Sequence, residues 1–353
     1  MQRLLSMSWL KLLWSLEDNC TSTQNDDRRL NMNILLTGAA GFIASCVATD
    51  LINQGHSVTL VDDFSVVKKQ KNFQGKAYKR LVQRAELSAY FEDEQPSYDF
   101  VIHLGARTDT TDPDPIIFQK LNLDYSKLIW QWCVDTQTPL IYASSAATYG
   151  DGVLGFDDRH DILSDLQPLN QYAISKNEFD KWVLAQKETP PFWVGLKFFN
   201  VYGPNEYHKG RMASVIFHAH NQIKETGKMR LFRSHHPDFA NGEQKRDFVY
   251  VKDVSKVILF FIQQKSISSG LYNLGTAKAE TFNTLVETIF EVLNLSPDID
   301  YIDTPIDIRE KYQYFTQANM SKLHDIGYST PFIDLKSGVA DYVFNYLRTN
   351  SIY

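Results

Sequence analysis

The chain has 353 residues, enough for one large domain or two smaller ones of about 150 residues each. Hydrophobic residues make up 43% and charged residues 22%, a balance that excludes a disordered or fibrous chain. With 36 Lys plus Arg against 42 Asp plus Glu, the net charge is −6, so no nucleic-acid partner is expected. Three scattered cysteines (Cys20, Cys46 and Cys133) exclude a disulfide framework, predict no metal site and favour a reducing cytoplasm.

The first 31 residues are predicted to be a leader outside the folded domain. Lys11 interrupts the apolar run of residues 1–14, and the polar residues 17–29 follow without a small-residue cleavage site. A secretory signal is therefore disfavoured against a disordered leader or a start codon placed too early, since Met32 directly precedes a strong strand. Nowhere does the chain reach the roughly 18 consecutive apolar residues of a membrane helix, so no membrane partner is expected.

The first half of the chain alternates between short apolar runs, which predict buried strands, and longer helical segments. Strands joined in this way form a parallel sheet that is covered on both faces. The pattern predicts an α/β protein with a Rossmann-type doubly wound parallel sheet over residues 32–200. In chain order we predict strands at 33–37, 57–61, 98–104, 139–143 and 193–199, with helices at 42–54, 116–135 and 171–187; a strand near Leu81 is left open.

The second half is less regular and predicts a smaller C-terminal substrate-binding lobe over residues 201–353, from which later segments return to the first domain. Its predicted helices are 212–226, 254–265, 282–293 and 335–347, and its extended segments are 247–251 and 271–274.

A glycine-rich turn separates the first predicted strand from the first helix. Gly38 permits a tight turn, and Gly41 lets the backbone approach a pyrophosphate at the positive end of the helix dipole. The third glycine of the usual dinucleotide fingerprint is replaced by Ala44. Asp62 ends the second strand 24 residues after Gly38, close to the spacing of about 20 expected for an acid that binds a ribose. The turn therefore predicts a nicotinamide dinucleotide site.

Charge alone leaves the choice between NAD and NADP open. Asp62 and Asp63 would accept hydrogen bonds from a ribose 2′-hydroxyl and repel a 2′-phosphate, which favours NAD. Lys68, Lys69 and Lys71 follow in the next loop and could neutralise that phosphate.

A second motif predicts acid–base chemistry. Tyr172 and Lys176 are four residues apart near the start of a predicted helix, so they share one helix face. An ammonium beside a phenol favours the phenolate and is expected to lower the pKa of Tyr172 from about 10 toward neutrality. Ser144 and Ser145 end the preceding strand, where a hydroxyl could hold a substrate alcohol against Tyr172.

From residue 33 to about residue 346 the sequence resembles the extended short-chain dehydrogenase/reductase superfamily and, within it, the ADP-L-glycero-D-manno-heptose 6-epimerases. The segment His-Lys-Gly-Arg-Met-Ala-Ser over residues 208–214 is the most specific part of this resemblance, because other sugar-nucleotide epimerases do not share it. Four further segments carry it, at residues 142–150, 199–204, 245–251 and 312–318.

The resemblance implies epimerisation at carbon 6 of the heptose of ADP-D-glycero-D-manno-heptose, a precursor of the lipopolysaccharide core. A carbinol centre without an acidic proton is inverted by transient oxidation and re-reduction, which calls for an acid–base group on each face of the intermediate. The resemblance assigns these groups to Tyr172 and Lys209, with Lys176 binding the nicotinamide ribose and Ser145 orienting the alcohol. Lys209 can act in this way if burial or a nearby cation lowers its pKa.

The resemblance also implies NADP as the cofactor, with NAD as the alternative, and a homo-oligomer. The cofactor contacts that it implies are Gly38, Gly41, Phe42, Ile43, Asp62, Asp63, Lys69, Leu104, Gly105, Ala106, Arg107, Thr108, Asn122, Lys176, Val201 and Lys209. The substrate contacts that it implies are Asn200, Arg211, His218, Phe232, Arg233, Ser234, Arg246 and Tyr312, with Arg246 as a bidentate clamp on the diphosphate. The loop at residues 235–244 is longer than in the shortest family members.

Three alternatives compete with this interpretation. A sugar-nucleotide dehydratase would place an Asp-Glu pair just after the catalytic serine, where Ala146 and Ala147 stand instead. A UDP-hexose 4-epimerase is the main enzymatic alternative. A non-catalytic dinucleotide sensor would typically lack the tyrosine and lysine that are present here.

Overall fold

A computed structural model describes residues 31–264, 267–309 and 312–353, which gather around a seven-stranded parallel sheet. Residues Asn31–Tyr353 form one compact unit. The predicted leader lies outside the described residues, apart from Asn31.

The large sheet has the strand order β10-β6-β5-β4-β1-β2-β3, and every neighbouring pair in it is parallel. A mixed three-stranded sheet (β11-β9-β7) and a parallel two-stranded sheet (β12-β8) lie in the second half of the chain. The strands are β1 (Asn33–Thr37), β2 (Ser57–Asp62), β3 (Arg80–Gln83), β4 (Phe100–His103), β5 (Leu140–Ser145), β6 (Trp193–Phe198), β7 (Asn200–Tyr202), β8 (Met229–Phe232), β9 (Lys245–Tyr250), β10 (Gly270–Leu274), β11 (Ala279–Thr281) and β12 (Ile299–Ile302).

Helices connect the strands and cover the sheet. They are α1 (Phe42–Asn53), α2 (Leu87–Glu94), α3 (Pro115–Phe118), α4 (Tyr125–Asp135), α5 (Gln171–Leu184), α6 (Val215–Thr226), α7 (Val251–Gln263), α8 (Phe282–Leu293), α9 (Ile306–Arg309), α10 (Ser321–Asp325) and α11 (Leu335–Tyr342).

The central strands form the main core because they are apolar on both faces, as parallel strands between two helical layers must be. Leu35, Val101, Ile141 and Leu196 come from four of these strands and are fully buried. A second apolar cluster joins α1 to α6, α8 and α11. The Rossmann-type doubly wound fold predicted from the sequence is therefore confirmed. Within the described residues, no helix is both long and apolar enough to span a bilayer.

The helix predicted over residues 116–135 is not continuous. A π-helical turn, Gln119–Asp124, separates α3 from α4. The π-helical turn directs the buried Asn122 toward the backbone of Arg107. Hydrophobic periodicity could not predict the turn, because this contact is between residues distant in the helix pattern. The strand left open near Leu81 is present as β3, and β10 returns to the edge of the large sheet.

Candidate active site

The predicted site residues gather where the strand order of the large sheet reverses. In the order β3-β2-β1-β4-β5-β6, the connections turn to opposite sides between β1 and β4. Ligands of doubly wound sheets bind in the crevice outside the carboxyl ends of the strands at this point. The loops after β1, β2, β4 and β5 all open there, which brings together motifs that are far apart in the sequence.

The glycine-rich turn has the geometry of a phosphate-binding turn. Gly38 has a φ of +70°, and a Cβ added to it would lie 2.6 Å from the backbone of Gly105, so only glycine fits. Gly41 is the N-cap of α1. No side chain caps this helix end, and its first turn contains no acidic residue. The amide groups of Phe42 and Ile43 therefore begin a helix whose positive end is open to an anion.

Two carboxylates and two cations line the end of β2. Asp62 is buried, and its Oδ2 accepts a hydrogen bond from the amide of Ala40 at 2.9 Å. Its Oδ1 lies 3.0 Å from Nζ of Lys69. The neighbouring Asp63 lies 3.5 Å from Nη2 of Arg84, and the Ser65 hydroxyl lowers the pKa of its carboxyl. Sequence reasoning missed Arg84 because β3, which precedes it, had not been assigned.

Asn122 fixes the loop that follows β4. Its side-chain Oδ1 accepts from the amide of Arg107 at 2.7 Å, and its Nδ2 donates to the Arg107 carbonyl at 3.0 Å. The same Nδ2 lies 2.9 Å from Oγ of Ser175 on α5. The predicted cofactor segment at residues 104–108 is thereby held between the sheet and α5.

Tyr172 and Ser145 meet at the start of α5. Asn170 caps this helix by accepting from the amide of Ala173 at 2.9 Å, which places Tyr172 in its first turn. Ser145, the last residue of β5, lies close enough to Tyr172 for its hydroxyl to lower the pKa of the phenol. The predicted tyrosine and serine line the same cavity.

The pKa of Tyr172 is not lowered by Lys176 as predicted. Nζ of Lys176 donates to the carbonyl of Ala143 at 2.8 Å. Burial raises the pKa of Tyr172 above its ordinary value, and nearby Asp180 raises it further. Desolvation is the larger effect here, so the prediction of a lowered phenol pKa was wrong for this structure. Burial also lowers the pKa of Lys176 to about 8, against the opposing effect of Asp180.

A cavity of about 600 Å³ opens in front of this pair, with Tyr172, Ser145, Asn200, Arg246 and Tyr312 among its lining residues. Arg246 is 7% exposed, and its guanidinium donates to the carbonyls of Lys245 (2.9 Å) and Gln313. In the described part of the chain, no carboxylate lies within salt-bridge distance of it. Desolvation lowers the pKa of this arginine. A buried cation without a counter-charge at a cavity wall fits an anionic ligand.

Lys209 lies on the dinucleotide side of the crevice. It belongs to a one-turn segment, Tyr207–Met212, and its Nζ lies 5.6 Å from the ring centre of Phe42. It is not among the residues that line the 600 Å³ cavity. Desolvation lowers its pKa, as expected, while nearby Glu206 acts in the opposite direction.

The other predicted substrate residues, and the predicted cofactor residue Val201, are not among the residues that line this cavity. Phe232 packs edge-on against Tyr312, with ring centres 6.5 Å apart. Arg233 is exposed and lies 3.8 Å from Asp303, and Ser234 bonds within its own loop. His218 is half-buried on α6, and Val201 is half-buried in β7. Arg211 is exposed, and its charge acts on Asp109. Their predicted contacts with substrate or cofactor stay predictions.

Comparison with known proteins places the chain in a family. The model of the NAD dependent epimerase/dehydratase family matches residues 34–275. The chain belongs to this family. Its sheet order, glycine turn and Tyr–Lys helix are therefore those of an epimerase or dehydratase that uses a nicotinamide dinucleotide.

Members of the family named ADP-L-glycero-D-manno-heptose-6-epimerase are similar over nearly the whole chain. The Fusobacterium nucleatum protein is 41% identical over 331 residues, which cover 91% of this chain and 99% of that protein. The Nitratidesulfovibrio vulgaris protein is 44% identical over 316 residues, with coverages of 89% and 97%. The crystal structure of the Helicobacter pylori enzyme of that name superposes with a TM-score of 0.75 at 28% identity, with coverages of 90% and 97%. The predicted resemblance to this group, and the prediction of an epimerase, are confirmed.

Proposed function

We propose that this protein converts ADP-D-glycero-D-manno-heptose to ADP-L-glycero-D-manno-heptose by inverting carbon 6. The observation that carries the proposal is the 600 Å³ cavity that places the Tyr172–Ser145 pair on one wall and the buried Arg246 on another. A sugar nucleotide presents an alcohol and a diphosphate to match these two walls. The names of the relatives that are 41% and 44% identical support this particular sugar nucleotide.

Tyr172 and Ser145 act on the alcohol. Both side chains line the cavity, so a substrate hydroxyl bound there could meet the oxygens of Ser145 and Tyr172 together. In this proposal Tyr172 takes the hydroxyl proton as its phenolate; because burial raises the pKa of the phenol, the role requires bound cofactor and substrate to favour the phenolate. A nicotinamide dinucleotide held at the glycine-rich turn would supply the redox chemistry, the removal and return of the hydrogen on carbon 6, while Tyr172 handles the hydroxyl proton.

Lys209 serves the other face of the substrate. Its desolvation lowers the pKa of the ammonium, the direction that favours proton exchange by a lysine. Its place above Phe42, at the first turn of α1, supports a position beside the bound dinucleotide.

Arg246 holds the diphosphate. Its planar guanidinium suits bidentate bonding to phosphate oxygens, and the substrate would supply the counter-charge that the described residues around it lack. The ring of Tyr312, with its centre 5.3 Å from the guanidinium carbon, supports the orientation of that fork.

NADP is proposed as the cofactor. The open N-terminus of α1 fits a pyrophosphate. Lys69, 3.0 Å from Asp62, and Arg84, 3.5 Å from Asp63, bring two cations to the place expected for the adenosine ribose. Both oxygens of Asp62 already accept bonds from Ala40 and Lys69, which offsets its repulsion of a 2′-phosphate.

The activity is tested by incubating the purified protein with ADP-D-glycero-D-manno-heptose and following both epimers by NMR. We expect a mixture of the two without net consumption of cofactor. Lys209→Met should lose most of this activity, whereas Lys187→Met, which changes an exposed lysine after α5, should keep it. Unchanged heptose together with turnover of a UDP-hexose would overturn the proposal.

The cofactor is tested by titrating the apoprotein with NADP and with NAD. Lys69→Met and Arg84→Met should each weaken the binding of NADP by about tenfold, the size of one charged contact. The affinity for NAD should stay within about threefold of wild type. Lys187→Met, which changes an exposed lysine after α5, is the matched control. If wild type binds NAD more tightly than NADP, the choice of NADP is wrong.

The homo-oligomeric state and the cytoplasmic location remain proposals that rest on the resemblance. Light scattering coupled to size-exclusion chromatography would test the first, and fractionation of the source cells the second.

A further inference from the structure

The loop that carries Lys209 is closed by the side chain of a buried glutamate. Glu206 is 1% exposed. Its Oε2 accepts from the amide of Ser214 and its Oε1 from the Ser214 hydroxyl, both at 2.6 Å. Its backbone carbonyl also accepts from the amide of Lys209 at 2.9 Å. One residue thus ties the start of the loop to its middle and to its end.

The far end of this loop is the start of α6. Ser214 is the N-cap of that helix, and its hydroxyl accepts from the amide of Phe217 at 3.2 Å. Tyr342 on α11 lies close enough to the Glu206 carboxylate to lower its pKa. Between the two ends, Gly210 has a φ of +54°, and nothing lies within 4 Å of an added Cβ. Glu206 therefore holds the two ends of the loop together, and the space beside the Cα of Gly210 is open.

The charge of the Glu206 carboxylate also acts on the ammonium of Lys209. Burial raises the pKa of Glu206, and the charge of Lys209 opposes that rise. The reciprocal effect is present on Lys209, whose pKa burial lowers and Glu206 raises. The other titratable or charged groups around this pair are Tyr342 from α11, His208 from the same turn and, acting on His208, Lys69 and Asp62 of the dinucleotide site.

We propose that Glu206 is a positioning residue for Lys209. Its carboxylate closes the 206–214 loop and so holds Lys209 in place, and its negative charge stabilises the Lys209 ammonium. The proposal rests on the proposed function, because it gives Lys209 an acid–base role. The two contributions separate by substitution: Glu206→Gln keeps the shape and removes the charge, whereas Ser214→Ala keeps the charge and removes one of the bonds that close the loop.

The decisive measurement is the titration of Lys209 in protein labelled with 13C at the lysine Cε, read by NMR and assigned by the signal lost in Lys209→Arg. We expect Glu206→Gln to lower the Lys209 midpoint by about one pH unit, the size of one nearby charge at an effective dielectric of about 20. Ser214→Ala should leave it within about 0.3 unit, as should the control Glu225→Gln on the exposed face of α6. An unchanged midpoint in Glu206→Gln would overturn the proposal.

Should Glu206→Gln fail to fold, the reciprocal experiment decides. Coupling between two sites is mutual, so Lys209→Met should raise the midpoint of the Glu206 carboxyl, followed with 13C-labelled glutamate. A Glu206 midpoint that does not move in Lys209→Met would refute the proposed charge pairing.

Kinetics test the positioning itself. With ADP-heptose, Ser214→Ala should lower kcat by about tenfold with little change in KM, because the loop loses its closure while the substrate contacts remain. Wild-type kcat in both Ser214→Ala and Glu206→Gln would argue against a positioning role. The NMR midpoints need no substrate, so a protein that does not epimerise ADP-heptose would refute the proposed function and still leave the Glu206–Lys209 pairing measurable.

Discussion

The ammonium of Lys197 lies 2.7 Å from the carboxylate of Asp180, and both side chains are completely buried. Lys197 comes from β6 and Asp180 from α5, one helical turn beyond Lys176. Asp180 also accepts from the hydroxyls of Ser144 (2.6 Å) and Tyr142 (3.1 Å). This ion pair joins the catalytic helix to the two strands on which it rests.

Breaking this pair should destabilise the protein strongly. Asp180→Asn or Lys197→Met leaves a single charge in the core, and each should lower the free energy of unfolding by about 3–5 kcal/mol. Urea denaturation measures the loss, and the double variant should cost less than the two single changes added together. The control is Lys181→Met, whose exposed partner Glu178 lies 3.1 Å away and which should cost less than about 1 kcal/mol. A loss below about 1 kcal/mol in both single variants would contradict this account.

Gly38 and Gly227 allow a matched test of the glycine turn. Their φ angles are +70° and +76°, but a Cβ on Gly38 would lie 2.6 Å from Gly105, whereas nothing lies within 4 Å of one on Gly227. Gly227→Ala should therefore cost only the strain of the left-handed backbone, about 1–2 kcal/mol. Gly38→Ala adds a backbone collision and should cost at least about 3 kcal/mol in total and weaken dinucleotide binding. Thermal unfolding and cofactor titration measure both effects, and equal losses in the two variants would contradict the argument.

His103 should make stability fall in acid. It is 2% exposed, and its ring lies between the hydroxyls of Thr37 (2.6 Å) and Ser126 (2.9 Å). Burial lowers its pKa from 6.5 to about 3, so between these values the unfolded chain binds a proton that the native protein does not. The stabilisation is complete above pH 6.5 and is lost as pH falls toward 3, at about 1.4 kcal/mol per pH unit.

Urea unfolding at several pH values between 7 and 4 tests this contribution. His103→Asn should flatten the dependence of the unfolding free energy on pH in that window by about the slope of one proton. His235→Asn, which changes an exposed histidine, is the control. A slope in His103→Asn that matches wild type would show that His103 is not the group responsible.

Tyr172→Phe should remove most epimerisation while leaving the fold intact. In the proposed mechanism the hydroxyl exchanges a proton with the substrate, and such acid–base groups contribute about 10²–10⁴-fold to rate. Initial rates by NMR measure the loss, and dinucleotide binding should stay within about threefold of wild type. The control is Tyr90→Phe. Among the described residues, the Tyr90 hydroxyl makes a hydrogen bond only to that of Tyr98, at 2.7 Å, so its loss should leave the rate at the wild-type value. Full activity in Tyr172→Phe would remove this residue from the mechanism.

Several elements follow from the sequence because their signals are local. The apolar runs that end at Thr37, Asp62 and Phe198 are buried strands, and the helix that begins at Phe42 follows the glycine turn where the spacing predicts it. The order of these elements was enough to predict the parallel sheet, and the order of the motifs was enough to predict a dinucleotide-dependent enzyme. Short strands such as β7, β8 and β12 escaped prediction because three or four residues carry too little periodicity.

The sequence by itself determined the sheet, the turn that receives a dinucleotide and the helix that carries Tyr172 and Lys176, since each of these is encoded by neighbouring residues. The tertiary structure decided which distant polar groups face one another: Asp180 with Lys197, Asp63 with Arg84, and Arg246 with the open cavity. A charged residue carries no local signal of its partner, because that partner is fixed only when burial excludes water and the sheet order brings separate strands together. The pKa of Tyr172 depends on the same burial, and for that reason the spacing of Tyr172 and Lys176 could not predict its direction.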